Sequence, residues 1–396
     1  MSQTATQLTD QASGERLIAA TRGFVPIIRE RADAMEKAAR LDDEIVEAMD
    51  EAGIFAAVVP TRFGGAGLGP REVSHIAEIL GGADCSTAWV SVFYIMHNWL
   101  LCRFPMPVQE ELYRDCSSVL CAAVWTPPGK AEKVKGGYRV TGRWGYATGI
   151  HHAPYALVPA MVEDAAYWFI VPKERLELSD DWDMGAMVAT GSVTIATENT
   201  FVADGWGMEI AALVSATGHH GATHPESVYR LSFSGLTMSI SSIALGALDR
   251  AVELCRGKLE TSRPMGVARI DRTTSRMRWI RAFQDARVAR YVRDAAVANT
   301  LARAASGEPM SLETEALAGL NGITVQQTVK EATRSLLDGF GTSSYRDNDQ
   351  LRRLAADTAM FTTHGLGSDY DVFMERHSRW VLGLGFAPGD PQIRLA

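Results

Sequence analysis

Cysteine is scarce and poorly placed for cross-linking. The five cysteines, at 85, 102, 116, 121 and 255, form no Cys-x-x-Cys pair and no zinc-type spacing. That excludes a disulfide scaffold or a zinc module and fits buried free thiols in a reducing compartment. Lysine occurs only at 37, 130, 133, 135, 173, 258 and 330, and the net charge is −8. The chain therefore lacks the basic footprint that nucleic-acid phosphates require. There is no Gly-x-Gly-x-x-Gly after a strand, no Walker loop, no His-Glu-x-x-His and no Gly-x-Ser-x-Gly, so no standard nicotinamide, nucleotide, metalloprotease or hydrolase signature is present. The longest run free of Asp, Glu, Lys, Arg and His, 231–248, contains five serines, a threonine and two glycines, which fits a buried bundle helix better than a membrane span. The N-terminus has no charged start followed by an apolar core, so no secretory leader is expected and the reading is cytoplasmic.

What is present is an ordinary globular composition, 46% hydrophobic and 22% charged over 396 residues, with length for two or three domains. Arginine greatly outnumbers lysine, which suits bidentate pairing at subunit interfaces and with phosphate groups. Apolar residues recur at helical spacing through 15–115. One segment carries Ile18, Phe24, Ile27 and Ile28; a second carries Ile45, Met49 and Ile54 and ends near Gly53. A third begins near Pro70 and is broken at 81–84. A fourth, which Ser86 is placed to cap, carries Trp89, Val92, Phe93, Met96 and Leu100. From Ser118 the period changes. Short β-type runs at 119–125, 138–141, 155–162, 167–171, 192–196 and 199–202 predict a small barrel or sandwich.

Residues 209–226, with Gly218-His219-His220-Gly221, read as a loop, and a long helix is expected from Pro225. On it Gly235, Ser239, Ser242 and Gly246 form a ridge of small residues that lets a neighbouring helix approach closely. Further helices are expected at about 272–305, 312–338 and 349–364, interrupted at Gly339-Phe340-Gly341. The sequence thus predicts an α+β multidomain chain: an N-terminal α-helical domain (1–116), a β domain (117–208), then a linker loop and C-terminal helical bundle (209–396).

The most informative stretch is Thr141-Gly142-Arg143-Trp144-Gly145-Tyr146-Ala147-Thr148-Gly149-Ile150-His151-His152, a β-type run leading into a glycine-punctuated turn. A second such turn, Ala189-Thr190-Gly191-Ser192, opens another β-type run. Together they offer ring faces (Trp144, Tyr146) and edge donors and acceptors (Thr148, Thr190, Ser192 and the backbone of Ala147, Gly149 and Gly191), which suits a flat polar ring system such as a flavin.

With these motifs in this order, nearly the whole chain resembles the acyl-CoA dehydrogenase fold, with its helical first domain, middle β-barrel or sandwich and C-terminal four-helix bundle. Glu51-Ala52-Gly53-Ile54-Phe55 through Val59-Pro60 to Gly64-Gly65 is similar to the family's "EAGLF…VP…GG" segment, and the two turns match its flavin-binding loops. Thr261-Ser262-Arg263-Pro264-Met265-Gly266 resembles the segment whose arginine reaches the flavin's phosphate end across a subunit interface. Gly339, Phe340 and Gly341 stand where the family has a "GGNGY"-like turn. True dehydrogenases carry a catalytic glutamate after an "R…RD" motif. Here Arg353 and Asp357 match that motif, but His364 follows where the carboxylate would stand, and an imidazole is a poor base for a thioester α-proton.

The chain is closer to the two-component flavin-dependent monooxygenases of this fold, the aromatic hydroxylase and nitrososynthase-like branch, in which one histidine on the fourth helix and one near the C-terminus face the pocket. His97 and His364 match those positions. The resemblance implies reduced flavin (FADH2 or FMNH2) delivered by a separate flavin reductase, O2 as co-substrate, a flavin C4a-hydroperoxide, hydroxylation of an aromatic or indolic small molecule, no metal, and a homotetramer. An N-oxygenase acting on an amino sugar, an acyl-CoA dehydrogenase-type flavoprotein and a non-catalytic flavin binder are the competing readings. Phe93, Trp99 and His151 are the expected pocket walls, although His151 equally suits a strand end. Without the resemblance, His97 reads as a satisfied core residue, Trp144 as β-layer core and Arg263 as half of an ion pair. At reference values a phenol and a histidine differ by about 3.5 pKa units, roughly 5 kcal/mol against full proton transfer. A histidine base must therefore act in concert with oxygen transfer.

Overall fold

The computed structural model describes residues 3–125, 128–215, 224–306, 312–346, 349–364 and 370–385. The first part is helical: α1 (Gln3–Ala38), α2 (Asp43–Glu51), α3 (Pro70–Gly81), α4 (Cys85–Leu101) and α5 (Met106–Leu112). The helix starts have local causes. Asp42 accepts from the Ile45 amide and opens α2. Pro70 takes the first position of α3, where its missing N–H would have had no intrahelical partner. The cap of α4 is Asp84, not Ser86: its Oδ2 accepts from the Thr87 amide and hydroxyl, both at 2.8 Å. An acid cap two residues earlier is the stronger choice because it bonds two donors at once.

Eight strands follow: β1 (Cys121–Ala123), β2 (Gly129–Val134), β3 (Gly137–Trp144), β4 (Tyr155–Val162), β5 (Ala165–Pro172), β6 (Glu177–Leu178), β7 (Ile195–Ala203) and β8 (Gly207–Glu209). They form one mixed sheet in the order β6-β7-β3-β2-β4-β5-β8, with β1 beside β4. β1 and β2 run parallel to β4; the other pairs are antiparallel. The two β-type runs at 192–196 and 199–202 belong to one strand, β7, which pairs with β3 through an irregularity between Val140 and Gly142. β2 escapes the sequence pattern because only Ala131 of its six residues is fully buried.

The remaining helices are α6 (Ile210–Val214), α7 (Ser234–Thr261), α8 (Thr273–Ser306), α9 (Leu312–Gly339), α10 (Gln350–Phe361) and α11 (Tyr370–Val381). α7 starts at Ser234; the stretch after Pro225 is a 3-10 turn, Ser227–Arg230, ahead of it. His219 and His220 lie outside the described residues. The small-residue ridge has a visible purpose. A methyl group on Gly246 would overlap the Glu78 carbonyl, and one on Gly81 would overlap the Ile243 carbonyl, so α3 and α7 cross backbone to backbone. Among the described residues no helix is long and apolar enough to cross a membrane.

Candidate active site

The two hydroxyl-and-glycine turns meet. Ala147 N–H donates to the Val193 carbonyl (3.1 Å) and Gly149 N–H to the Thr190 carbonyl (3.3 Å). Thr148 Oγ1 lies 2.9 Å from Ser192 Oγ, and Ser192 Oγ lies 2.9 Å from Thr190 Oγ1. Thr190 Oγ1 in turn donates to the Met187 carbonyl at 2.8 Å. All three hydroxyls belong to buried residues. Each carries a single proton, so the direction of the chain follows by counting. Thr190 gives its proton to a carbonyl that can only accept. Ser192 must then donate to Thr190, and Thr148 to Ser192. The protons all run inward, and the chain keeps lone pairs, not protons, for anything docked against it.

The first turn requires unusual backbone. Tyr146 has φ 62° and Gly149 φ 75°. A Cβ at Gly149 would also lie 2.7 Å from the hydroxyl of buried Tyr94, which donates to the Gly149 carbonyl. Glycine is needed there for conformation and for space. A Cβ at Gly191 would come within 2.7 Å of the His151 ring, so that imidazole packs on the second turn. Burial lowers the His151 pKa, with Arg40 and Lys173 pushing the same way.

A second group of side chains forms on α4. Trp89, Phe93 and His97 follow one another at four-residue steps and share one face. Ring centroids are 4.7 Å apart for Trp89 and Phe93 and 5.5 Å for Phe93 and His97. Phe361, at the end of α10, stacks on Trp89 at 5.3 Å. His364 stands edge-on to Trp89 at 5.2 Å and 6.4 Å from Phe93. The two histidines singled out from the sequence thus border one aromatic cluster, supplied from opposite ends of the chain.

His97 Nδ1 lies 2.6 Å from the Cys121 carbonyl. That oxygen can only accept, so Nδ1 carries the proton and Nε2 keeps a lone pair. Burial pushes the His97 pKa down to about 4, partly countered by the bond to Cys121. Burial lowers His364 as well. Both imidazoles are neutral near pH 7 and act as acceptors or single donors, not as cations.

Two expected ring contacts are corrected. Trp144 is fully buried, and its indole N–H donates to the Pro159 carbonyl at 3.0 Å, so it fills the strand layer and offers no face to a ligand. Trp99 is also fully buried, with its N–H on the Val228 carbonyl (3.0 Å) and its ring 4.3 Å from the Arg103 guanidinium. Two residues along a helix is about 200° of rotation, which turns Trp99 away from the His97 face. Tyr146 is exposed and meets Trp182 edge-on at 5.9 Å.

Arg263 is exposed at the end of α7. Its neighbour Ser262 is joined to the turn of Gly339, Phe340 and Gly341 by Arg269. Its Nε donates to Ser262 Oγ (3.0 Å), its Nη1 to the Gly339 carbonyl (3.0 Å), and its guanidinium covers the buried Phe340 ring at 5.2 Å. The sequence reading missed Arg269, Trp89 and Phe361. For Trp89 the signal was available, since it sits four and eight residues before Phe93 and His97.

Comparison with known proteins bears on the fold and on the chain's relatives. Residues 15–116 match the model of the acyl-CoA dehydrogenase N-terminal domain. The chain is 28% identical to a pigment production hydroxylase of a Rhodococcus species over 91% of this chain and 95% of that protein. It is 26% identical to the oxygenase subunit HsaA of a flavin-dependent monooxygenase from Mycobacterium tuberculosis, over 97% of this chain and 99% of that one. The crystal structure of HsaA superposes with a TM-score of 0.86 at 25% identity, covering 95% and 99% of the two chains. The oxygenase component of p-hydroxyphenylacetate 3-hydroxylase from Acinetobacter baumannii is 24% identical over 95% of this chain and 91% of its own. The chain therefore has the acyl-CoA dehydrogenase fold. Its relatives are hydroxylases and flavin-dependent monooxygenases, two of them named as an oxygenase subunit or component.

Proposed function

We propose that the protein is the oxygenase component of a two-component flavin-dependent monooxygenase that hydroxylates a phenolic or indolic small molecule. The observation that carries this reading is the pair of neutral imidazoles, His97 and His364, flanking the Trp89–Phe93–Phe361 cluster. Reduced flavin, made by a separate reductase, supplies the electrons that activate O2 for transfer of one oxygen atom to the ring. The residues present suit that group. The inward-running hydroxyl chain of Thr148, Ser192 and Thr190 offers acceptors, and reduced flavin carries more ring N–H donors than the oxidised form. Ala147, Gly149 and Gly191 supply backbone at the same place, while Arg263 and the 339–341 turn are our candidates for the phosphate end.

The chain's own contribution is positioning and dryness. Trp89, Phe93 and Phe361 exclude water from the reacting edge. A phenol O–H directed at His97 Nε2 meets a lone pair held in place by the Cys121 carbonyl. With His97 lowered to about 4, full transfer from a phenol near 10 would cross about 6 units, roughly 8 kcal/mol. His97 is therefore an orienting acceptor that draws electron density onto the ring, and not a base that strips the proton beforehand. We assign His364, on the other side, as the second polar contact of the pocket, and the His151 ring, which packs on the second turn, as a further lining candidate. We also take 1–116, 117–208 and 209–396 as the three domains, and place the protein in the cytoplasm because all five cysteines are free thiols. A homotetramer is proposed from the exposed apolar side chains of α8, namely Met277, Ile280, Phe283, Val288 and Tyr291.

The test supplies the purified chain with reduced flavin, ¹⁸O2 and a panel of phenols, indoles and amino sugars. One labelled oxygen atom in a phenolic or indolic product supports the proposal. Bleaching of a bound oxidised flavin by an acyl-CoA thioester, without oxygen uptake, refutes it.

A further inference from the structure

One buried carboxyl group lies outside the pocket yet grips one of its walls. Asp357, on α10, is buried, and its Oδ1 accepts from the Met187 amide at 2.7 Å. Met187 is a non-glycine residue at φ 53°, a left-handed conformation that costs free energy and persists only when held. Its carbonyl is the terminal acceptor of the hydroxyl chain and also receives the Thr190 amide at 3.1 Å. At the next residue, the Val188 carbonyl accepts from Trp182 Nε1 (2.8 Å), which braces the same turn from the other side.

We propose that Asp357 is a positioning residue: through Met187 it holds the second turn in the shape that makes the Thr148–Ser192–Thr190 chain run inward, and so sets the polarity of the surface offered to the flavin ring. This rests on the flavin reading above for its ligand, but not for its geometry. The groups around the carboxyl are Asp84 and Cys85 at the start of α4, Glu36 on α1, and Arg353 one turn earlier on α10. Arg353 is itself bound to Asp33 and to Glu36 (3.0 Å). Burial pushes Asp357 up to about 7 against the pull of Met187 and Arg353, while Asp84 and Glu36 add to the rise. A carboxylate accepts more strongly from an amide than a neutral carboxylic acid does. The Met187 bond itself favours the ionised form, so while the carboxyl stays buried the turn is held more firmly above neutrality than below it, even though the buried charge weakens the fold as a whole, and flavin affinity rises from pH 6 to pH 8.

The experiment compares the full-length chain with Asp357→Ala and Asp357→Asn by two readouts. The first is hydrogen exchange of the peptide covering 185–194, measured without flavin. The second is the dissociation constant for FMN and FAD, oxidised and reduced, across pH 6 to 8. Asp357→Ala should speed exchange in 185–194 by about tenfold, while Asp357→Asn, which keeps an acceptor, should restore it. The wild-type affinity should rise about fivefold across this range, and the Asp357→Asn profile should lose that component. Titrations belonging to the ligand persist in both proteins and cancel in the comparison. Unchanged exchange in Asp357→Ala overturns the proposal, as does an identical pH profile in wild type and Asp357→Asn. If the wild type binds no flavin but Asp357→Ala still loosens 185–194, the positioning role stands and the flavin reading falls.

Discussion

Acid should act on His97 in a calculable way. The imidazole is buried, and its pKa drops from an ordinary 6.5 to about 4 in the folded chain. Between those values the unfolded chain binds a proton at this position that the folded chain does not. Stability from this group is therefore complete above pH 6.5 and is lost as pH falls towards 4. The difference of about 2.5 units corresponds to about 3 kcal/mol. Asp357 works in the opposite sense. Its folded value is raised to about 7, so its contribution favours the fold at low pH and declines as pH rises from about 4 to 7. Comparing wild type with His97→Asn cancels Asp357 and isolates the imidazole. Urea denaturation at pH 7.5 and pH 4.5 should show the wild type losing about 2–3 kcal/mol more than the variant on acidification. Ring-labelled NMR should show His97 neutral, with the proton on Nδ1, throughout pH 5 to 8. A His97 resonance that titrates near 6.5, or equal acid sensitivity in the two proteins, would refute the argument and with it the assignment of Nε2 as the waiting acceptor.

Other substitutions separate the pocket from the scaffold. His364→Ala should lower the hydroxylation rate constant by about 100-fold or more while leaving the flavin dissociation constant unchanged, as measured by stopped-flow with reduced flavin. Ser192→Ala interrupts the hydroxyl chain, so flavin binding should weaken by about tenfold, read by equilibrium dialysis under anaerobic conditions. Trp99→Phe removes one of two donors to the Val228 carbonyl, the Leu231 amide (3.3 Å) remaining, and should cost about 1 kcal/mol in urea denaturation, with kcat intact in the surviving folded protein. A large kcat loss for this last variant would return Trp99 to the pocket wall.

The helix–strand–helix order was legible because long amphipathic periods and short β-type runs are local signals. β2 was not, because a strand that buries one residue leaves no alternation to read. The turns at 146–149 and 190–192 were legible as polar, glycine-rich punctuation, and they do meet. Their internal direction was not, since it depends on Met187, whose φ no pattern announces. His97 and His364 were singled out through family resemblance. On a helix buried nearly all round, periodicity cannot say which face meets a ligand. Trp144 and Trp99 were assigned to a ligand on residue type alone. Where an indole N–H finds a backbone carbonyl is decided by strands and loops distant in sequence, β4 for Trp144 and residue 228 for Trp99.

Trp89, Phe93 and His97 lie in the first quarter of the polypeptide, whereas Phe361 and His364 lie in its last tenth. During synthesis, the α4 aromatics emerge long before the segment that covers them exists. A fragment ending before α10 leaves that apolar face without its cover and lacks one side of the proposed pocket. Late truncations should therefore abolish turnover even where most of the scaffold still assembles.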